Sequence, residues 1–329
     1  MSLPAHIATI ITALDRAEHR LRGELSKRRL AERIRTGHVI RIGRSGLAES
    51  EVWSQWHPQQ RHLAAVLVAH RESRSAPIFS HVSAAALLGL PLWGFRGSVP
   101  HVLARSTHAR TGALARHVMP VSEAELVEIA GIRCTAPDRT LFDLAARERE
   151  ELLVGVADAH VRGLARSARR VDEAVVLDWR GQMLEHAQRS SGRRGVQKFR
   201  RIVGLADPRA DSPLESVSRL HFHRLDIDVE PQFEIPNEGG GTYYVDFRLL
   251  GQNILGECDG AQKYLDPQML GARTPGEAVL REKRRDDWIS GYTRGRMIHW
   301  GARDVRTTDT FAQVLRRYGV HVPLRRRES

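Results

Sequence analysis

Asp246, Glu257 and Asp259 are the residues whose types and spacing most clearly suggest chemistry in this chain of 329 residues. They lie in two β-rich runs, Tyr243 to Leu250 and Asn253 to Asp259, separated by Gly251-Gln252. Glycine at the first central position is the mark of a two-residue type II′ hairpin loop. With that loop Leu250 faces Asn253, and counting outward sets Asp246 opposite Glu257. Opposed side chains have β-carbons about 4.5–5.5 Å apart, and like charges there destabilise the pair. Asp259, two residues beyond Glu257, leaves its strand on the same face. Three carboxylates on one face call for a cation between them, and hard divalent metals take oxygen ligands of this kind. The expected chemistry is metal-dependent attack on a phosphodiester. A slip of one residue would instead send one acid to the other face and leave a solvated pair.

The elements that must hold these acids are legible on either side. Ser212-Pro213-Leu214-Glu215 is a capping box, and Leu214, Val217, Leu220 and Leu225 continue the helix it opens. The box alone accounts for Glu215. A strand from Val229 to Ile235 precedes the hairpin. Thr274-Pro275-Gly276-Glu277 starts a second helix, which runs through Glu282, Lys283, Arg284, Arg285, Asp286, Asp287 and Trp288. Arg296 to Trp300 reads as a strand and Thr308 to Tyr318 as a closing helix, so the order is helix, three strands, helix, strand, helix. Asp259 before Gly260 also fits a turn, and Lys263 fits a solvated loop. Trp288 and Trp300 are expected in the core. The sixteen histidines form no HExxH or similar pattern, so scattered surface and core roles suffice for them.

Ahead of this lies a different composition. Ile7, Ile10, Ile11 and Leu14 fall at helical spacing. Ser26 caps a second helix that carries Lys27, Arg28, Arg29, Arg33 and Arg35 and ends before Gly37. Val39 to Gly46 reads as a short strand and turn. Helices, a basic helix and a wing make the layout of a winged helix-turn-helix, with the basic helix in the major groove of DNA and Arg41 and Arg44 on phosphates. A surface helix solvated by its charges is the alternative. Residues of about 60 to 175 read as mostly helical with a few strands. Ala206-Asp207-Pro208-Arg209-Ala210-Asp211 is the best linker.

The net charge is +12 and the pI near 10.6, which favours a polyanionic partner, DNA first. Arginine outnumbers lysine, so an arginine-rich genome is the competing explanation. The start lacks a basic region followed by an apolar block, and no apolar run is long enough to span a bilayer. Cys134 and Cys258 form no CxxC unit, which gives neither a zinc site nor a disulfide framework. A cytoplasmic protein with no membrane association is expected.

From about Asp211 to Arg317 the chain resembles the PD-(D/E)XK restriction-endonuclease-like superfamily, in its branch related to very-short-patch repair endonucleases. The resemblance rests on Glu215, Val245-Asp246-Phe247, Glu257-Cys258-Asp259-Gly260, Gln262-Lys263-Tyr264 and the helix with Glu282-Lys283-Arg284-Arg285-Asp286. It implies Mg²⁺ or Mn²⁺ held by Asp246 and Glu257, with Glu215 at the edge of the metal site, and hydrolysis of DNA. Asp259 stands where the general motif has lysine, and Lys263 where the repair branch has histidine. Lys263 or Lys283 is then the cation expected on the phosphate. The front of the chain resembles the winged-helix N-terminus of abortive-infection type antitoxins. Thr135 to Ala145 is similar to a segment of their second domain.

The expectation is an α+β multidomain protein, with a winged helix over 1–50, an α-rich middle domain over 51–205 and an endonuclease-like α/β domain with a mixed central sheet over 206–329. The leading activity is that of a Mg²⁺-dependent endonuclease. A non-catalytic, DNA-binding regulator of antitoxin type is the rival. A purely structural role, with the charge merely genomic, is the third reading.

Overall fold

The computed structural model describes residues 3–104, 114–259 and 275–323, without the side chains of 275–279. It is a mixed α/β chain. In order it contains α1 (Ala5–Gly23), α2 (Lys27–Arg35), β1 (Val39–Ile42), β2 (Gly46–Glu49), α3 (Ser50–Gln55), α4 (Pro58–Glu72), α5 (His81–Leu87), β3 (His101–Leu103), β4 (Ala115–His117), β5 (Leu126–Ile129), β6 (Ile132–Thr135) and α6 (Pro137–Ala145). There follow α7 (Glu150–Ala165), β7 (Arg166–Ser167), β8 (Arg170–Val171), α8 (Glu173–Arg189), α9 (Val196–Leu205), α10 (Pro213–Arg224), β9 (Val229–Pro236), β10 (Thr242–Leu249), β11 (Ile254–Asp259), α12 (Pro275–Thr293), β12 (Arg296–Gly301) and α13 (Thr308–Arg317), and a 3₁₀ turn, Glu123–Glu125, precedes β5. No described helix is long and apolar enough to cross a membrane.

The chain forms two compact units, Met1–Val156 with Arg180–Gly204, and Ala157–Trp179 with Leu205–Ser329. The second takes in a segment, 157–179, that the sequence places in a middle domain. The reason is a buried ion pair: Arg219 on α10 donates to both carboxylate oxygens of Asp158 on α7, at 2.8 and 2.7 Å. Breaking such a pair strands a buried charge, so it fixes the helices together.

In the first unit, Ala17 and Leu21 of α1 pack on Val39 and Leu47 of the β1–β2 hairpin, with Leu30 and Ile34 of α2 at the margin. The basic helix and the small hairpin appear where the sequence puts them, and Arg29 donates its amide to the capping Ser26 hydroxyl. The middle of the chain sets short strands among its helices. β3 pairs with β4 in parallel and β5 with β6 antiparallel.

The second unit holds a four-stranded mixed sheet in the order β12-β11-β10-β9. The β9–β10 and β10–β11 pairs are antiparallel and β11–β12 is parallel. On one face Ile235, Val245 and Leu255 pack against Ile289 of α12. On the other, Phe247 and Trp300 meet Phe222 of α10 and Phe311 of α13 in an aromatic cluster with centroid spacings of 5.0–6.0 Å.

The hairpin register is the expected one. Phe247 pairs with Gly256, Arg248 with Leu255 and Leu249 with Ile254, and the pairing ends one residue short of Asp246 and Glu257. The loop is not the expected type II′ turn. Gln252 donates to the Leu249 carbonyl (3.3 Å), and Leu250 donates to the carbonyl of Asp228 instead of closing on Asn253. Gly251, at φ +73°, is thus the third residue of its turn, where type II geometry needs a positive φ. Four residues, not two, join the strands.

Alternation also fails at one place. Val245 and Phe247, two residues apart, lie on opposite faces of the sheet, although residues at that spacing normally share one. The break falls at Asp246. Its partner on β9 by register is Gln232, which adopts φ +54°. A residue other than glycine in the left-handed region inside a strand is strained, and such strain gathers at functional sites.

Gly256 gives the sheet its tightest packing. A β-carbon there would overlap the six-membered ring of Trp300, which is 2% exposed. Gly256→Ala is expected to lower the stability of this unit by about 1–3 kcal/mol through overpacking. Urea unfolding followed by tryptophan fluorescence measures it, and an unchanged midpoint would show that the Trp300 ring can move aside.

Candidate active site of the sheet unit

Glu215 enters from the first turn of α10. Its backbone amide donates to the Ser212 hydroxyl (3.2 Å), and that hydroxyl donates to Glu215 Oε1 (2.8 Å). Oε2 accepts the Asp211 amide (2.9 Å). The capping box is therefore present, with the reciprocal bond shifted one residue upstream. The carboxylate is 6% exposed.

Asp246 comes from the break in β10. Its Oδ2 accepts the amide of Cys258 at 2.7 Å, which pins it between β10 and β11. Its Oδ1 lies 3.4 Å from Gln232 Nε2, and the same nitrogen donates to Glu215 Oε2 at 2.9 Å. Two carboxylates thus share one amide. Arg169 decides which way that amide points, because its guanidinium donates to Gln232 Oε1 (2.5 Å) and so turns the NH₂ group toward the acids. Arg169 is itself held by Asp211 (2.7 Å) and stacks over Tyr244 at 4.4 Å. Burial, and then the neighbouring charge of Asp246, push the Glu215 carboxyl up to about 7.

Glu257 and Asp259 lie on the α12 face, with Leu255. Glu257, 6% exposed, accepts from Arg285 of α12 at 2.7 Å. The same guanidinium donates to the Tyr244 carbonyl at 2.6 Å and sits over Tyr243 at 5.5 Å. Asp259 Oδ2 is 3.4 Å from Nδ1 of His299, whose Nε2 is 3.0 Å from Asp286 Oδ2. The bonds to Asp259 and then to Asp286 raise His299 to about 10, so the ring is an imidazolium at neutral pH.

The expected convergence of Asp246, Glu257 and Asp259 is corrected: among the described residues they form no set of three with ligand atoms within 4.8 Å of one another. Asp246 is joined to Glu215 through Gln232, while Glu257 bonds Arg285 and Asp259 lies against His299. Among the described residues, the set of three side chains with ligand atoms within 4.8 Å of one another is a histidine trio in the first unit. Lys263 lies outside the described residues. Lys283 and Arg284 are exposed, and it is Arg285 that reaches Glu257.

Arg285, Asp286 and His299 had a signal in the sequence. Arg285 and Asp286 are one helical turn before the buried Ile289, on the face that meets the sheet. His299 alternates with the core residues Ile298 and Trp300. Gln232 and Arg169 had none.

Lys27, Arg28, Arg29 and Arg41 are exposed and Arg33 is half-buried. Arg44 is tied down, with its guanidinium on the Glu72 carboxylate (3.4 Å) and carbonyl (2.9 Å).

Two uncharacterized proteins of Mycobacterium tuberculosis are each 30% identical to this chain over 154 residues, which is 46% of this chain and 52% of theirs. The chain spans about half the length of these curated relatives. No protein-family model matches it.

His299 supplies a pH test. Its folded value of about 10 lies above the ordinary 6.5, so the native state binds the extra proton. The resulting stability is fully present below pH 6.5 and is lost as pH rises through about 10. The wild-type protein should exceed His299→Gln in urea midpoint near pH 6, and the gap should close toward pH 10. A constant gap would mean that the ring stays neutral.

Proposed function

We propose that this protein is a divalent-metal-dependent DNA endonuclease, with its site at the break in the central sheet. The observation that carries the reading is the sharing of the Gln232 amide by Glu215 and Asp246. Two carboxylates so close retain a proton near neutrality unless a cation replaces it. Their oxygens are hard donors, so the set fits Mg²⁺ or Mn²⁺. Such an ion, when bound, neutralises charge on a scissile phosphate and makes water more acidic. Asp246 and Glu215 would hold it, with Glu257 able to join once Arg285 turns to a phosphate. Gln232 and Arg169 fix the carboxylates. Arg285 and the imidazolium of His299 are cations suited to phosphate oxygens, and His299 can give a proton but not take one. The exposed arginines and lysine of α2 and Arg41 would add affinity for the DNA backbone, in the manner of a winged helix.

One observation favours a second reading. The ion pair of Arg285 with Glu257 already neutralises one expected metal ligand, as in a restriction-endonuclease-like fold that binds DNA without cutting it. That is the regulator of antitoxin type.

Nicking of supercoiled plasmid separates the two. The nuclease reading expects cleavage with Mg²⁺ or Mn²⁺, abolished by EDTA, by Asp246→Asn and by Glu215→Gln, while all forms still shift DNA at low salt, where phosphate contacts are strongest. Gln232→Ala should cost about 10–100-fold, as loss of a residue that orients ligands does. A protein that shifts DNA but cuts with no divalent metal sinks the nuclease reading, and one that binds no DNA sinks both.

A further inference from the structure

The first unit carries a second constellation that the nuclease reading does not use. His81, at the start of α5, and His101 and His117, on the paired strands β3 and β4, bring one ligand atom each to within 4.8 Å of one another. His117 Nε2 and His101 Nδ1 are 3.0 Å apart. The rings of His81 and His117 have centroids 4.0 Å apart, and those of His81 and His101 are 5.5 Å apart. The geometry points to a three-histidine site for a borderline transition metal of the Zn²⁺ class.

Four observations carry this. The first is spacing. Nitrogens bound at about 2.0–2.1 Å in a tetrahedral shell lie about 3.3 Å from one another, close to the observed His101–His117 separation.

The second is orientation. A metal-bound histidine characteristically uses its other nitrogen for a hydrogen bond that sets the ring. His81 Nδ1 lies 3.0 Å from Ser80 Oγ, and His101 Nε2 lies 2.9 Å from Ser98 Oγ. The nitrogens that would take a metal are then His81 Nε2, His101 Nδ1 and His117 Nε2. Around them His62 bonds Ser83 Oγ (2.9 Å) and the Ser98 carbonyl (3.0 Å), and Ser83 Oγ also accepts the His101 amide (2.8 Å). These bonds hold the supporting shell in place.

The third is strain and burial. His81 has φ +53° and is 2% exposed. A strained, buried histidine is a costly choice for a structural position.

The fourth is access. His101 and His117 line a cavity of about 400 Å³ together with Ser98, Arg116 and Arg147. Three protein ligands leave a fourth position for that cavity, and the two arginines suit it to an anionic oxygen. Imidazole nitrogens prefer Zn²⁺, Co²⁺, Ni²⁺ or Cu²⁺ to Mg²⁺, so this site and the carboxylate site take different metals.

The test uses the full chain stripped with chelator and reloaded with Zn²⁺ or Co²⁺. One equivalent of Zn²⁺ should be retained after desalting, and Co²⁺ should give the intense visible bands of a tetrahedral site. His101→Gln and His117→Gln should each weaken uptake more than tenfold, while Glu215→Gln and Asp246→Asn keep it. Zinc X-ray absorption on the wild-type protein covers the case in which a histidine variant fails to fold: nitrogen neighbours with the outer-shell pattern of imidazole are expected. A wild-type protein that retains no metal, histidine variants that retain it, or an oxygen-only shell would each overturn the assignment.

Discussion

The second unit turns on one shared hydrogen-bond donor. Gln232 Nε2 serves both Glu215, from a helix, and Asp246, from a strand. Buried carboxylates repel, and removing them from water is costly unless hydrogen bonds or cations compensate. Glu215 has the Asp211 amide and the Ser212 hydroxyl, and Asp246 has the Cys258 amide. Burial and the charge of Asp246 still push the Glu215 carboxyl up to about 7, which makes the pair responsive to a proton or a cation. The backbone strain at Gln232 and the failure of alternation at Asp246 are the local cost of bringing the two acids together.

The scaffold serves that pair. Trp300 fits over Gly256 in the sheet and donates its indole N–H to Ser218 Oγ on α10 at 2.8 Å. Ser218 returns a bond to the Leu214 carbonyl at 2.8 Å, one residue before Glu215. The first turn of α10 is thus set against the strands that carry Asp246. From the other side, Arg166 at the start of β7 and Arg169 in the β7–β8 turn each hold Asp211 at 2.7 Å. This explains why a short hairpin far back in the sequence belongs to the same compact unit.

Much of this was legible in the residues. The order of elements from α10 to α13, the register of β10 against β11 as far as Phe247 and Gly256, and the placement of Glu215 in a first helical turn follow from caps, glycine and period-two patterning. The faces were not legible. Register says which residues are opposed, but a side chain leaves the expected face where the backbone departs from regular pleating, and nothing in Pro231-Gln232-Phe233 announces that departure. The partners of the acids were legible only in part. Arg285, Asp286 and His299 fall at positions that helical and strand spacing mark, but His299 meets Asp259 only because β12 returns parallel to β11 after a helix, a pairing that local sequence does not specify. The histidine trio lay beyond a motif search for the same cause, because its members come from a helix start and two strands spaced unlike any single-element signature.

The most direct test of the account is the ionisation of Glu215, followed by carboxyl ¹³C NMR in the metal-free protein. The account predicts a midpoint near 7, shifting well down when Mg²⁺ is added or when Asp246 is replaced by asparagine. A Glu215 that titrates in the ordinary carboxylate range, and responds to neither change, would contradict it, because the two acids would then not share a site.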